Sequence, residues 1–204
     1  MERQSKNEKL LQYFKDICRI PRQTGDEETI SQYLLDFAKA RGLQAERDAH
    51  HNVLIRKPST IPGYKGPTVI VQGHMDIVYE KSADSTHKYE GGIHVVEEDG
   101  YLKSADGTSL GADNGLAVAY AMDLLDRNDL PLPALEILIT SSEEVGLEGV
   151  KHLELTDVKG SYLINLDAEE EGVFFTSCAG GVRTDLSLPL KYTDSTEDIT
   201  YTLT

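Results

Sequence analysis

The chain has 204 residues, room for one medium domain or one and a fraction. Its 20 Lys and Arg against 35 Asp and Glu give a net charge of −15, which argues against nucleic acid or an anionic membrane as partner, because both recruit basic patches. The two cysteines, Cys18 and Cys178, lie far apart and build no disulfide framework, so a reducing, cytoplasmic setting is expected.

The N-terminus is polar, and no run approaches the ~18 apolar residues of a membrane span, so neither a signal peptide nor a transmembrane helix is expected. Leu10, Leu11, Phe14 and Ile17 recur at helical spacing, and the pattern predicts a helix over 7–19. A second helix is expected from Asp26-Glu27-Glu28, with Ile30, Tyr33, Leu34, Phe37 and Ala38 on its apolar face and Gly42 at its end. Strands are expected at 52–56 and 68–72, the latter a central buried strand. A loop over 80–92 and a hairpin over 93–104, turning at Asp99-Gly100, follow. Gly111 to Gly115 opens a helix carrying Leu116, Ala119, Tyr120 and Leu124. A strand at 134–140, a short helix near 146–153, a strand at 162–166 and two more strands within 171–190 complete an α/β alternation.

Three apolar strands end in metal-ligand residue types. His74 and Asp76 follow the first, Glu143 and Glu144 the second, and Asp167 the third; Asp113 sits in a glycine-flanked loop before a helix. In open α/β sheets ligands gather at the carboxyl ends of strands, which places all six residues on one edge. So many carboxylates converge only around cations, and one His among acids suits Zn²⁺, Mn²⁺ or Co²⁺. Two ions are expected, because a carboxylate such as Asp113 can bridge a pair about 3.5–4 Å apart. Of the neighbours Glu143 and Glu144, one can ligate while the other acts on water as general base.

Singly, each feature has a structural alternative: a chance HxD, an Asx-type turn at Asp113, or surface acids at the start of a helix. Only the joint pattern argues for a site. Glu169-Glu170-Glu171 reads as a solvated face. His50, His51, His87, His94 and His152 fall in loops, the hairpin or a polar helix and are not expected to be ligands.

Gly73-His74-Met75-Asp76, Leu110 to Gly115, Glu143-Glu144-Val145-Gly146, Asn165 to Gly172 and Cys178-Ala179-Gly180-Gly181 occur in the order and spacing of the M20 metallopeptidases. Up to about residue 190 the chain resembles the aminoacyl-histidine dipeptidase branch of that family. The resemblance implies a zinc-peptidase-like mixed sheet flanked by helices, with an inserted lid domain after the chain end. It implies that His74 and Asp167 hold one metal, Asp113 bridges, Glu144 holds the second metal, Glu143 is the general base and Asp76 supports His74. The implied cofactor is two divalent ions, Zn²⁺ first and Co²⁺ or Mn²⁺ as alternatives. The implied reaction is hydrolysis of small peptides, Xaa-His dipeptides among them, by a protein that is a homodimer at full length. On this reading residues 1–190 are the N-terminal part of the catalytic domain and 191–204 begin the lid and dimerisation insertion. The family's last histidine ligand and its lid lie beyond the chain, which is therefore expected to be inactive alone. The alternatives are an aminoacylase, deacetylase or tripeptidase on the same scaffold, a two-metal phosphohydrolase disfavoured by the lack of a basic cluster, and a non-catalytic remnant.

Overall fold

The computed structural model describes residues 2–154, 158–168, 170, 172–178, 180–182, 184–189 and 191, with side chains from Glu8 onward. The chain divides into two units, residues 1–171 and residues 172–204.

The first unit is built on a five-stranded mixed sheet in the order β1-β2-β6-β3-β7. Its strands are β1 (Gln44–Arg47), β2 (Val53–Lys57), β3 (Val69–His74), β6 (Leu135–Thr140) and β7 (Tyr162–Asn165). β1 and β2 pair antiparallel, β2 pairs antiparallel with β6, and β3 runs parallel to both β6 and β7. All six residues of β6 are buried, Glu136 and Thr140 included, as in a strand covered on both faces at the centre of a sheet. A hairpin of β4 (Val95–Glu98) and β5 (Tyr101–Ser104) stands apart from the sheet. It turns where expected: Asp99 and Gly100 both take positive φ, 54° and 80°, the geometry that Asp-Gly adopts readily in a two-residue turn.

Helices α1 (Glu2–Cys18), α2 (Glu28–Ala40) and α3 (Ala112–Asp126) and alternate strand residues share the main core. Phe14, Ile17, Ile30, Leu34 and Met122 meet Val53, Ile55, Ile137 and Ile139 there. Burying each such side chain is worth roughly 1.5–3 kcal/mol. On β2 and β6 the intervening residues Leu54 and Leu138 join Ile70 in a smaller cluster backed by Leu153 and Val158, which is the period-two alternation of a sheet packed on both faces. The short helix α4 (Glu148–Lys151) falls within the expected segment.

Three sequence expectations are corrected. The first helix begins at Glu2 rather than residue 7, because polar helix-formers extend it without adding to its apolar stripe. β1 was not expected: Gln-Ala-Glu-Arg lacks an apolar pattern and is an edge strand held by its pairing to β2. The two strands expected within 171–190 are absent among the described residues of the second unit, where no ladder partner takes up their backbone groups. The expected lid segment falls, from residue 192 on, outside the described residues. Glu170 is exposed, and its neighbours 169 and 171 lie outside the described set. Cys18 is buried, Cys178 is exposed, and both are free thiols. Among the described residues no helix is long and apolar enough to cross a membrane.

Candidate metal centre

The parallel strands β3, β6 and β7 end together, and their C-terminal edge carries His74, the Glu143–Glu144 loop and Asp167. The buried His74 closes β3. Its Nδ1 lies 3.0 Å from the backbone carbonyl of Asp76 and 3.4 Å from the Asp76 carboxylate. Its Nε2 faces the acids: Asp113 Oδ1 at 3.2 Å, Asp167 Oδ1 at 3.7 Å and Glu143 Oε2 at 3.9 Å. Two ligand groups form around it, His74 with Asp113 and Asp167, and His74 with Glu143 and Glu144, the candidate atoms of each lying within 4.8 Å of one another. The structure thus brings all six sequence-derived site residues to one place.

Asp76 is fully buried, and its carboxylate is engaged mainly with the loop after β6. Oδ1 accepts the backbone N–H of Glu143 at 3.1 Å, while Oδ2 accepts that of Glu144 at 3.3 Å and the Thr24 hydroxyl at 2.9 Å. Burial opposes the Asp76 charge, yet the bonds from His74, Glu143, Thr24 and Glu144 outweigh it and hold its carboxyl below the usual range. Burial likewise pulls the His74 imidazolium down, but Asp76, Asp167 and Glu143 more than compensate and push it up to about 9. Glu143 and Glu144 are pushed up by burial and by the surrounding carboxylates, against the lowering effect of His74.

Three further side chains build the site, and sequence reading missed their roles. Glu27, only 3% exposed, accepts the Ser142 N–H at 3.0 Å and the Ser142 hydroxyl at 2.9 Å. That fixes Ser142 in left-handed backbone, φ 47°, directly before the two glutamates. Asn114 ties three segments together: its Oδ1 accepts the His74 N–H at 3.0 Å, and its Nδ2 donates to Leu166 O at 2.9 Å and Asp167 Oδ1 at 3.0 Å. Arg22, 1% exposed, donates to Met75 O at 2.8 Å and Gly111 O at 2.6 Å, joining the segment after β3 to the start of α3. Gly111 has φ +69°, and a Cβ there would come within 2.7 Å of the Arg22 guanidinium; one at Gly115 would come within 2.5 Å. The glycines flanking Asp113 therefore leave room for a buried cation under the acidic site. The only sequence signal was that Asn114 and these glycines fall inside a motif.

The donor chemistry fits divalent ions. One buried imidazole presents a single free nitrogen to carboxylates from three segments, and the Asp113 side chain, 67% exposed, reaches in from the solvent side. His50, His51 and His152 join no such group among the described residues; His87 and His94 form a group of their own.

The mixed sheet that carries this imidazole-and-carboxylate cluster is a fold shared with peptidases of known structure. The chain superimposes on a dinuclear metal-binding peptidase of the M20 family from Bacillus subtilis with a TM-score of 0.51, 13% identity and coverage of 79% of this chain and 43% of that one, a likeness of fold alone. It is homologous to cytosol non-specific dipeptidase of Escherichia coli, 38% identical over 173 residues that make up 85% of this chain and 36% of that protein. It also matches the crystal structure of aminoacylhistidine dipeptidase from Vibrio alginolyticus with a TM-score of 0.76 and 35% identity, covering 80% of this chain and 33% of that one. The chain thus spans about a third of the length of these two dipeptidases. No protein-family model matches it.

Proposed function

We propose that this chain carries the larger part of the metal site of a dipeptidase that hydrolyses Xaa-His and other dipeptides, using two divalent ions, Zn²⁺ before Co²⁺ or Mn²⁺. The observation that carries the reading is the pair of ligand groups sharing His74 at one sheet edge, in a chain homologous to named dipeptidases. His74 and Asp167 would hold one ion, Glu144 the other, and Asp113 would bridge. When bound, such ions lower the pKa of a water and polarise a carbonyl.

The remaining steps belong to the chain's own side chains. Glu143 accepts the proton of the attacking water and delivers it to the leaving amine. Its carboxyl, raised by burial and by Asp167, Asp76 and Asp113, is a better proton acceptor than an exposed glutamate. Asp76 orients the imidazole on one side and fixes the Glu143 backbone on the other. The whole protein is proposed to be a cytoplasmic homodimer.

The test is a chimera in which residues 1–171 replace the matching region of the Escherichia coli dipeptidase. It is assayed on Xaa-His dipeptides, tripeptides and N-acetyl amino acids. Dipeptide turnover by the folded chimera, reduced ~10²–10⁴-fold by Glu143→Gln with metal content unchanged, supports the reading. Preferential turnover of tripeptides or N-acetyl amino acids assigns the site to another hydrolase on this scaffold. A folded, metal-loaded chimera with no turnover favours a non-catalytic remnant.

A further inference from the structure

A second cluster of ligand atoms shares no residue with the strand-end site. His87 comes from the loop before the 3-10 turn Tyr89–Gly91, His94 from the entry to β4, and Asp106 from just after β5. Asp106 Oδ2 lies 2.8 Å from His94 Nδ1 and 3.6 Å from His87 Nε2. One ligand atom from each of the three lies within 4.8 Å of the others. The His87 side chain is only 6% exposed, yet its Nε2 has no hydrogen-bond partner and faces Asp106 Oδ2, which His94 Nδ1 reaches from the other side. Leaving a buried polar atom unpaired costs about 1–3 kcal/mol, so the His87 Nε2 facing this carboxylate calls for an occupant.

Water is one occupant to weigh and a metal ion is the other. Geometry favours the ion. Two ligands on a tetrahedral Zn²⁺, each about 2.0–2.1 Å from it, lie roughly 3.3 Å apart; the 3.6 Å between Asp106 and His87 is near that spacing, while the 2.8 Å between Asp106 and His94 is a hydrogen-bond distance that an ion would open. The other nitrogen of His87, Nδ1, is hydrogen-bonded to the Tyr79 hydroxyl at 2.7 Å, an outer contact that orients the ring and leaves Nε2 turned toward Asp106. The frame is held independently of any ion. Ala105 N–H donates to His94 O at 2.8 Å, the Ser85 hydroxyl donates to Asp106 O at 2.6 Å, and Lys81 Nζ donates to His87 O at 3.0 Å. His94 is 63% exposed, so the fourth position opens to solvent.

We propose that His87, His94 and Asp106 form a separate binding site for a single divalent transition ion, Zn²⁺ or Co²⁺, closed by water. The site clips the base of the β4–β5 hairpin to the loop that precedes it. It draws only on these residues and stands whether or not the chain acts as a dipeptidase.

The experiment uses the 204-residue chain in the His74→Ala background, which removes the shared ligand of the strand-end site. Zn²⁺ is titrated calorimetrically, and imidazole resonances are followed by ¹H–¹⁵N NMR. One ion bound per chain with shifts of the His87 and His94 rings, and at least a tenfold loss of affinity on adding His94→Ala or Asp106→Asn, supports the proposal. His94 is on the surface, so His94→Ala leaves the fold in place, and circular dichroism verifies it. Binding that is equally tight with and without His94→Ala and Asp106→Asn overturns the proposal, as does no binding by the folded His74→Ala chain. Loss of Zn²⁺ binding by His74→Ala alone would instead confine the metal to the strand-end site.

Discussion

Asp76 Oδ1 accepts the backbone N–H of Glu143 at 3.1 Å, so the residue that braces the imidazole also holds the acid proposed as base. The proposed ligand and the proposed base are thus registered to one another through a single buried carboxylate. Asp76→Asn keeps the size but removes the charge and sets an amide against two N–H donors. Zn²⁺ affinity at the strand-end site is expected to fall about 10–100-fold, read by competition with a chromogenic chelator.

Proton and metal compete for His74. With its imidazole held at about 9, the metal-free chain carries that proton at pH 7, and ligation must release it. Apparent Zn²⁺ affinity is expected to rise with pH up to about 9, with close to one proton released per ion from His74 near neutrality. Calorimetry in buffers of different ionisation enthalpy counts that proton.

The same shift sets the sign of metal-free stability. A folded value raised from 6.5 to about 9 stabilises fully below pH 6.5, and that contribution disappears as pH rises through 9. Asp76 acts oppositely: its lowered carboxyl stabilises above its ordinary value of 3.8, and the contribution is lost as pH falls through its lowered folded value. Urea midpoints of the chelator-treated chain are expected to decline from pH 6.5 to 9, and His74→Ala is expected to flatten that limb.

Glu27 anchors Ser142 from a different element. Glu27→Ala removes the acceptor of both the Ser142 N–H and its hydroxyl. A loss of about 1–3 kcal/mol is expected, since a partly buried donor pair is left unmade. Hydrogen exchange at Ser142 and Glu143 is expected to accelerate more than at the core of β6.

Gly73 is where α3 crosses β3. A Cβ there would lie 2.4 Å from Asn114 Oδ1 and 2.7 Å from the Ala117 methyl. Gly73→Ala is expected to cost about 1–3 kcal/mol by overpacking. It also displaces Asn114, so metal affinity falls with stability; urea unfolding and Zn²⁺ titration of the same sample check both.

Residue pattern revealed the strand ends because β3 and β6 are nearly continuous apolar runs, and whatever follows such a run lies at the sheet edge. His74, Glu143, Glu144 and Asp167 were legible for that reason. Glu27, Asn114 and Arg22 were not, because their roles arise only when the segment after α1, the start of α3 and the loop after β6 come together. In the sequence His87 and His94 read as loop and hairpin residues, and only the fold brings them to Asp106. Val173-Phe174-Phe175 has the composition of a strand, but composition supplies no pairing partner; Gln44–Arg47 lacks the composition and has the partner.

The position of β3 between β6 and β7 sets the order in which the site can be assembled during synthesis. Val69 pairs with Leu135 and Tyr162, both far downstream. His74 and Asp113 therefore leave the ribosome well before the strands that align them, and the emerging chain holds two potential ligands in the correct sequence order with no shared edge to stand on. An ion captured at that stage would meet a flexible pair rather than a site. On the proposed metal reading, loading would be a late event, timed by the arrival of Asp167 beside β3 and not by the first appearance of the histidine.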